Sequence, residues 1–209
     1  MAKEKEKKGM NLPNKITCAR LVLSVIVLVI MVLPWSIFNI EWPVYSVLKV
    51  ENVSLKYLVC GVLFMIGSVT DFLDGYIARK YNLVTDFGKV MDAIADKVLV
   101  NGVLIILAYD KMLPLIVPVI IITRDIVVDS IKMASGSKGK VVAASWPGKI
   151  KTICMMIGVT LVFFYNMPFA FIGSGIRIDY LFVYVATIMS IVSGCLYWNA
   201  SKDLVLSEM

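Results

Sequence analysis

Four aspartates stand close together in a chain that is otherwise largely hydrocarbon. In the stretch SVTDFLDGYIARKYNLVTDFGKVMDAIADK, residues 68–97, Asp71 and Asp74 are three apart, and Asp92 and Asp96 are four apart. On a helix both spacings keep side chains on one face. Asp71, Asp74 and Ala78 share one such face with Gly75 beside it, and Gly88, Asp92 and Asp96 form a second stripe. If the two helices are antiparallel neighbours, four carboxylates meet. Four ionised carboxylates cannot stand together uncompensated. Either some are protonated, or cations neutralise them. An all-oxygen ligand set without histidine suits a hard ion such as Mg²⁺, Mn²⁺ or Ca²⁺. Arg79, Arg124, Lys149 and Lys151 add positive charge. Metal-binding carboxylates beside Arg and Lys are what a phosphate or pyrophosphate substrate requires.

The rest of the composition narrows the chemistry. There is no histidine, so acid–base work falls to carboxylate, lysine, tyrosine or cysteine. The four cysteines are scattered without a CxxC pair and read as small packing residues. A purely architectural role for the aspartates is the competing reading. Hydrophobic packing would hold a bundle with less desolvation cost, so function is preferred for the quartet. The same alternative is stronger for Arg124 with Asp125, for Lys149 and Lys151, which could snorkel to an interface, and for Arg20 as an inner-face anchor. Asp86 opens a helix and reads as its N-cap.

The elements that carry these residues are long apolar runs. The chain is 59% hydrophobic over 209 residues, with a mean hydropathy of +0.84. Runs of about 18 or more apolar residues read as membrane-spanning helices. The expected fold is all-α and integral to the membrane, with six transmembrane helices. They run near 16–33, 55–79, 86–109, 113–135, 146–165 and 179–200. Strand alternation of the barrel kind is absent. The expected division is a basic tail at 1–15, a catalytic six-helix domain at 16–200 and a C-terminal tail at 201–209. The apolar run after MAKEKEKKG is followed by Pro34 and Trp35, not by a small-x-small cleavage site, so the first helix is expected to remain. The segment PWSIFNIEWPVYSVLKVE, with its aromatics, is expected to lie along the outer surface.

Sidedness follows from lysine and arginine. The tail holds Lys3, Lys5, Lys7, Lys8 and Lys15, and the connections after the second and fourth spans are also basic. Both termini are therefore expected in the cytoplasm. The net charge of +6 then reflects topology and anionic lipid, not nucleic acid. In that arrangement Arg20, the four aspartates, Arg124, Lys149 and Lys151 all fall in the inner half of the membrane. Charges inside spanning helices usually mark a function.

The residues DFLDGYIARKYNLVTDFGKVMDAIAD match D-x2-D-G-x2-A-R-x8-G-x3-D-x3-D without a departure. On this motif the chain resembles the CDP-alcohol phosphatidyltransferase family. NLPNKITCARLVL, TRDIVVDSIK and VVAASWPGKIKT further resemble the bacterial subgroup that acts on glycerol 3-phosphate. The resemblance implies a homodimer of six-helix protomers in the bacterial cytoplasmic membrane, with the active site facing the cytoplasm. It implies CDP-diacylglycerol as donor and sn-glycerol 3-phosphate as acceptor, with CMP released. It makes Asp71, Asp74 and Asp92 metal ligands, and Asp96 a ligand, the general base or both. Gly75, Ala78, Arg79 and Gly88 would serve the nucleotide donor. Arg124, Lys149, Lys151, Arg20 and Lys132 would hold the acceptor phosphate. Related chains often have Arg where Lys132 stands, and Lys132 keeps the charge without the fork geometry. Two divalent ions, Mg²⁺ or Mn²⁺, would clamp the pyrophosphate, and Asp96 is the preferred base. Competing expectations are another acceptor in the same family (inositol phosphate, serine or a lipid), a cation transporter and a non-enzymatic scaffold.

Overall fold

The structure is a computed structural model that describes residues 12–47, 50–81, 85–137, 145–172 and 176–206. Six helices dominate: α1 (Leu12–Val32), α2 (Leu55–Lys80), α3 (Asp86–Tyr109), α4 (Ile116–Ser137), α5 (Trp146–Phe163) and α6 (Ile178–Leu206). Prolines explain several starts. Pro13 and Pro147 occupy the first turns of α1 and α5, where a backbone N–H has no helical partner to lose. Among the described residues α1 is helical from Leu12, four residues before the expected Ile16. Pro114 precedes α4, and its carbonyl accepts the Val117 N–H. The Ser145 hydroxyl accepts the Gly148 N–H and caps α5. At the start of α3 the cap is Thr85, whose hydroxyl accepts the Gly88 N–H at 3.0 Å. Asp86, expected in that role, is the first helical residue.

Among the described residues, four helices are long and apolar enough to cross a membrane, over Pro13–Val32, Leu55–Ala78, Trp146–Phe163 and Ile178–Lys202. Helices α3 and α4 are of similar length but carry Asp92, Asp96 and Lys97, and Arg124, Asp125 and Asp129. The mostly helical chain with these four helices fits an all-α membrane protein. Val22, Val25, Val29 and Val32 of α1 are exposed. Apolar surface of that kind is suited to lipid and would promote association in water.

Two compact units emerge from the packing. The first takes the described residues of Met1–Glu41 and Val59–Val103. Its buried residues include Val27, Met31, Phe64, Ala95 and Leu99. Gly102 is a close approach in this unit: a Cβ there would lie 2.6 Å from Leu28 Cδ2. The second unit takes Trp42–Leu58 and Leu104–Met209. There α6 packs along α5 and α4, around Ile121, Met155, Val159, Phe163 and Ala186. At Gly158 a Cβ would meet the Val183 backbone nitrogen at 3.0 Å.

The segment expected to lie along the outer surface contains a 3-10 turn at Trp35–Phe38 and an antiparallel hairpin, β1 (Val44–Val47) with β2 (Val50–Ser54). Val44 pairs with Ser54 and Val47 with Val50. β-Branched residues favour that extended backbone. The Ser54 N–H donates to the Tyr165 hydroxyl at 3.1 Å. Helix α6 continues to Leu206, beyond the expected tail boundary at 201. The tail lysines Lys3, Lys5, Lys7 and Lys8, the loop residues Lys138 and Lys140, and the Arg79 side chain lie outside the described residues.

Candidate active site

In the first unit, α2 and α3 bring three of the expected carboxylates together. Asp71, Asp74 and Asp92 each offer an oxygen, and these oxygens lie within 4.8 Å of one another. Asp74 is buried and the other two are partly open. The spacing of oxygen donors about one divalent cation is roughly twice a 2.0–2.6 Å metal–oxygen bond at most, so the trio fits such an ion. The donors are all hard oxygens, in keeping with Mg²⁺, Mn²⁺ or Ca²⁺. Asp96, one turn further along α3 and half-buried, is not part of this trio.

Helix α1 supplies the counter-charge. The Arg20 guanidinium donates from Nη1 to Asp71 and, at 2.9 Å, to Asp92, and from Nη2 to Asp74. Arg20 is only 2% exposed, so three helices meet at one buried cation. Charge-assisted bonds of this type are stronger than neutral ones. Arg20, expected beside the acceptor phosphate, thus stands among the aspartates. Thr17 adds a hydroxyl 3.2 Å from Asp74 Oδ2 and 3.1 Å from the Pro13 carbonyl, with one proton to give to either. Asn14 completes the α1 contribution. The Thr85 hydroxyl lies 3.1 Å from Asn14 Oδ1. A Cβ at Gly88 would lie 2.6 Å from that same oxygen. Gly88, expected at the donor nucleotide, allows α1 to approach the start of α3. Asn14, Thr17 and Arg20 recur every three residues on a helix whose other polar residues are Lys15 and Ser24. That spacing was the available signal for their shared face.

In the second unit a separate set of charges forms around Asp125. Arg124 Nη1 donates to Asp125 Oδ1 at 2.9 Å, and Lys151 Nζ donates to both Asp125 oxygens at 2.6 and 2.7 Å. Arg124 Nη2 donates to the Ser193 hydroxyl at 2.5 Å. The guanidinium carbon is 5.6 Å, and Lys132 Nζ 5.3 Å, from the centroid of the Tyr197 ring. Both are within cation–π reach. Lys149 is exposed, with Nζ 5.3 Å from the Trp146 ring. Arg124, Lys132, Lys149 and Lys151 thus belong to one unit and the aspartate trio to the other. Ser193 and Tyr197 were not singled out by sequence reasoning. Their signal is a polar stripe, Ser190, Ser193, Tyr197 and Ser201, at helical spacing on an apolar helix, and every member is buried.

The sequence model of the CDP-alcohol phosphatidyltransferase family matches residues 10–195. A CDP-diacylglycerol–glycerol-3-phosphate 3-phosphatidyltransferase of Bacillus subtilis (strain 168) is 39% identical over 196 residues, covering 92% of this chain and 97% of its own. A relative of the same name from Rickettsia typhi (strain Wilmington) is 33% identical over 92% of this chain and 97% of its own. Another from Mycoplasma genitalium (strain G37) is 37% identical over 70% of this chain and 65% of its own.

Proposed function

The chain belongs to the CDP-alcohol phosphatidyltransferase family, and from that premise we propose that it transfers the phosphatidyl group of CDP-diacylglycerol to sn-glycerol 3-phosphate. The products are phosphatidylglycerol phosphate and CMP. The similarity to the Bacillus subtilis relative over nearly the full length of both chains carries the choice of substrates. The trio of carboxylate oxygens within 4.8 Å supports the metal-dependent chemistry.

In this reading Asp71, Asp74, Asp92 and Asp96 hold divalent cation, Mg²⁺ or Mn²⁺ and two per site. Bound there, the metal supplies positive charge against the donor pyrophosphate and the leaving CMP. Gly75, Ala78, Arg79 and Gly88 line the nucleotide. Small residues let the backbone come close to a bulky ligand. Asp96 takes the proton from the acceptor hydroxyl as that oxygen attacks the donor phosphorus. Arg124, Lys149 and Lys151, with Lys132, bind the acceptor's own phosphate. The ion pairs of the buried Arg20 support a place beside the metal-binding carboxylates, where it orients them and limits their mutual repulsion.

All six helices cross the membrane in this proposal, with both termini on the cytoplasmic side and the protein as a homodimer. A lipid donor and a water-soluble acceptor then meet at the inner leaflet. The test offers purified protein CDP-diacylglycerol with glycerol 3-phosphate, inositol phosphate, serine or a lipid alcohol, and follows CMP. CMP release with glycerol 3-phosphate alone is the expected result. Release with serine or inositol phosphate instead keeps the family and overturns the acceptor.

A further inference from the structure

The polar stripe of α6 bears directly on Arg124. Ser193 is fully buried and Tyr197 is 4% exposed. Lying four residues apart, they share a helix face. An arginine carries five N–H groups. Here Asp125 and Ser193 each take one, from Nη1 and Nη2, and Nε is buried without a hydrogen-bond partner. The Tyr197 ring lies within cation–π distance of the guanidinium. Its hydroxyl accepts the Ser145 N–H at 3.1 Å, which ties the same ring to the residue capping α5. Gly194 leaves little slack, since a Cβ there would lie 3.2 Å from Arg124 Cγ. The guanidinium is therefore held by α4, by two side chains of α6 and by the close approach at Gly194.

We propose that Ser193 and Tyr197 are positioning residues for Arg124, fixing which of its remaining N–H groups meet the phosphate of the acceptor. This rests on the reading of Arg124 as an acceptor-phosphate ligand. A guanidinium already held in one orientation loses less freedom when it binds, and its planar fork serves a phosphate only when correctly aimed. Ser193 and Tyr197 act through Arg124 and touch no substrate.

The experiment measures KM for glycerol 3-phosphate, KM for CDP-diacylglycerol and kcat on the full chain. Ser193→Ala is nearly isosteric, so it keeps the fold testable. It should raise the acceptor KM by about three- to tenfold, the scale of one lost hydrogen bond, and leave the donor KM and kcat within about twofold. Tyr197→Leu should do the same more strongly, and Tyr197→Phe, which keeps the ring, should recover most of the loss. In an Arg124→Ala background, Ser193→Ala should have no further effect on the acceptor KM. An unchanged acceptor KM in Ser193→Ala, or an equal loss for both substrates, overturns the positioning role. So does a Ser193→Ala effect that persists without Arg124. If Arg124→Ala itself leaves the acceptor KM unchanged, the assignment of Arg124 to the acceptor phosphate is what fails.

Discussion

At Asp71, Asp74 and Asp92 the residue type matters through its charge. Asparagine keeps the shape and removes the anion. Each Asp→Asn change should weaken divalent-cation binding, measured by calorimetry, and lower turnover on the order of a hundredfold. Near-normal activity in any one of them would remove that residue from the ligand set. Arg20 gives a sharper case, because it is buried against three carboxylates. Arg20→Gln removes the shared cation and leaves like charges facing each other. Losing one partner of a buried pair, as Arg20–Asp74 is, typically costs about 3–5 kcal/mol, so the variant should unfold at lower temperature in detergent. Added Mg²⁺ should restore part of that stability by replacing the lost charge. Arg124→Lys keeps the charge and loses the fork. It should raise the acceptor KM by roughly tenfold or more, with little change for the donor.

Helix contacts in this chain depend on glycine in two different ways. At Gly102 the atoms that a Cβ would meet belong to the Leu28 side chain, which can change rotamer. At Gly158 they include the Val183 backbone nitrogen, which cannot move without shifting α6. Gly158→Ala should therefore destabilise the protein by about 1–3 kcal/mol through overpacking, and Gly102→Ala by clearly less. Thermal unfolding of both variants in one detergent checks the order. A larger loss at Gly102 would contradict the α5–α6 contact. At Gly88 a Cβ would meet Asn14 Oδ1 and the Thr85 hydroxyl. Helix boundaries follow the same local logic. Ser145 with Pro147, and Thr85, set where α5 and α3 begin, each by satisfying or sparing first-turn N–H groups.

For the molecule as a whole, the proposal makes topology and metal dependence testable together. Six crossings put both termini on one side. Reporter fusions at residue 1 and residue 209 should therefore both report the cytoplasm, and opposite sides would require an odd number of crossings. Chelation should abolish CMP release, and Mg²⁺ or Mn²⁺ should restore it. Full turnover in excess chelator would leave the carboxylate trio without its proposed task.

Much of this protein is legible in the chain itself. The expected runs placed the six helices, four of them long and apolar enough to cross a membrane, because a continuous hydrocarbon surface needs no partner to be recognised. The motif from Asp71 to Asp96 carried the family, because fixed spacing on two helices fixes the faces. The hairpin at 44–54 was missed, since four valines spread over that segment beside an interface read equally as loop. Arg20 and the α6 stripe show the deeper limit. One arginine near a helix start has the same local signature whether it meets lipid headgroups, a phosphate or three carboxylates. Ser193 and Tyr197 look like ordinary packing until Arg124 is beside them. Spacing along a helix determines which residues share a face. Which neighbour that face meets is decided by packing between helices, and only the tertiary structure shows that Arg20 turns to Asp71, Asp74 and Asp92 while Arg124 turns to Asp125 and Ser193.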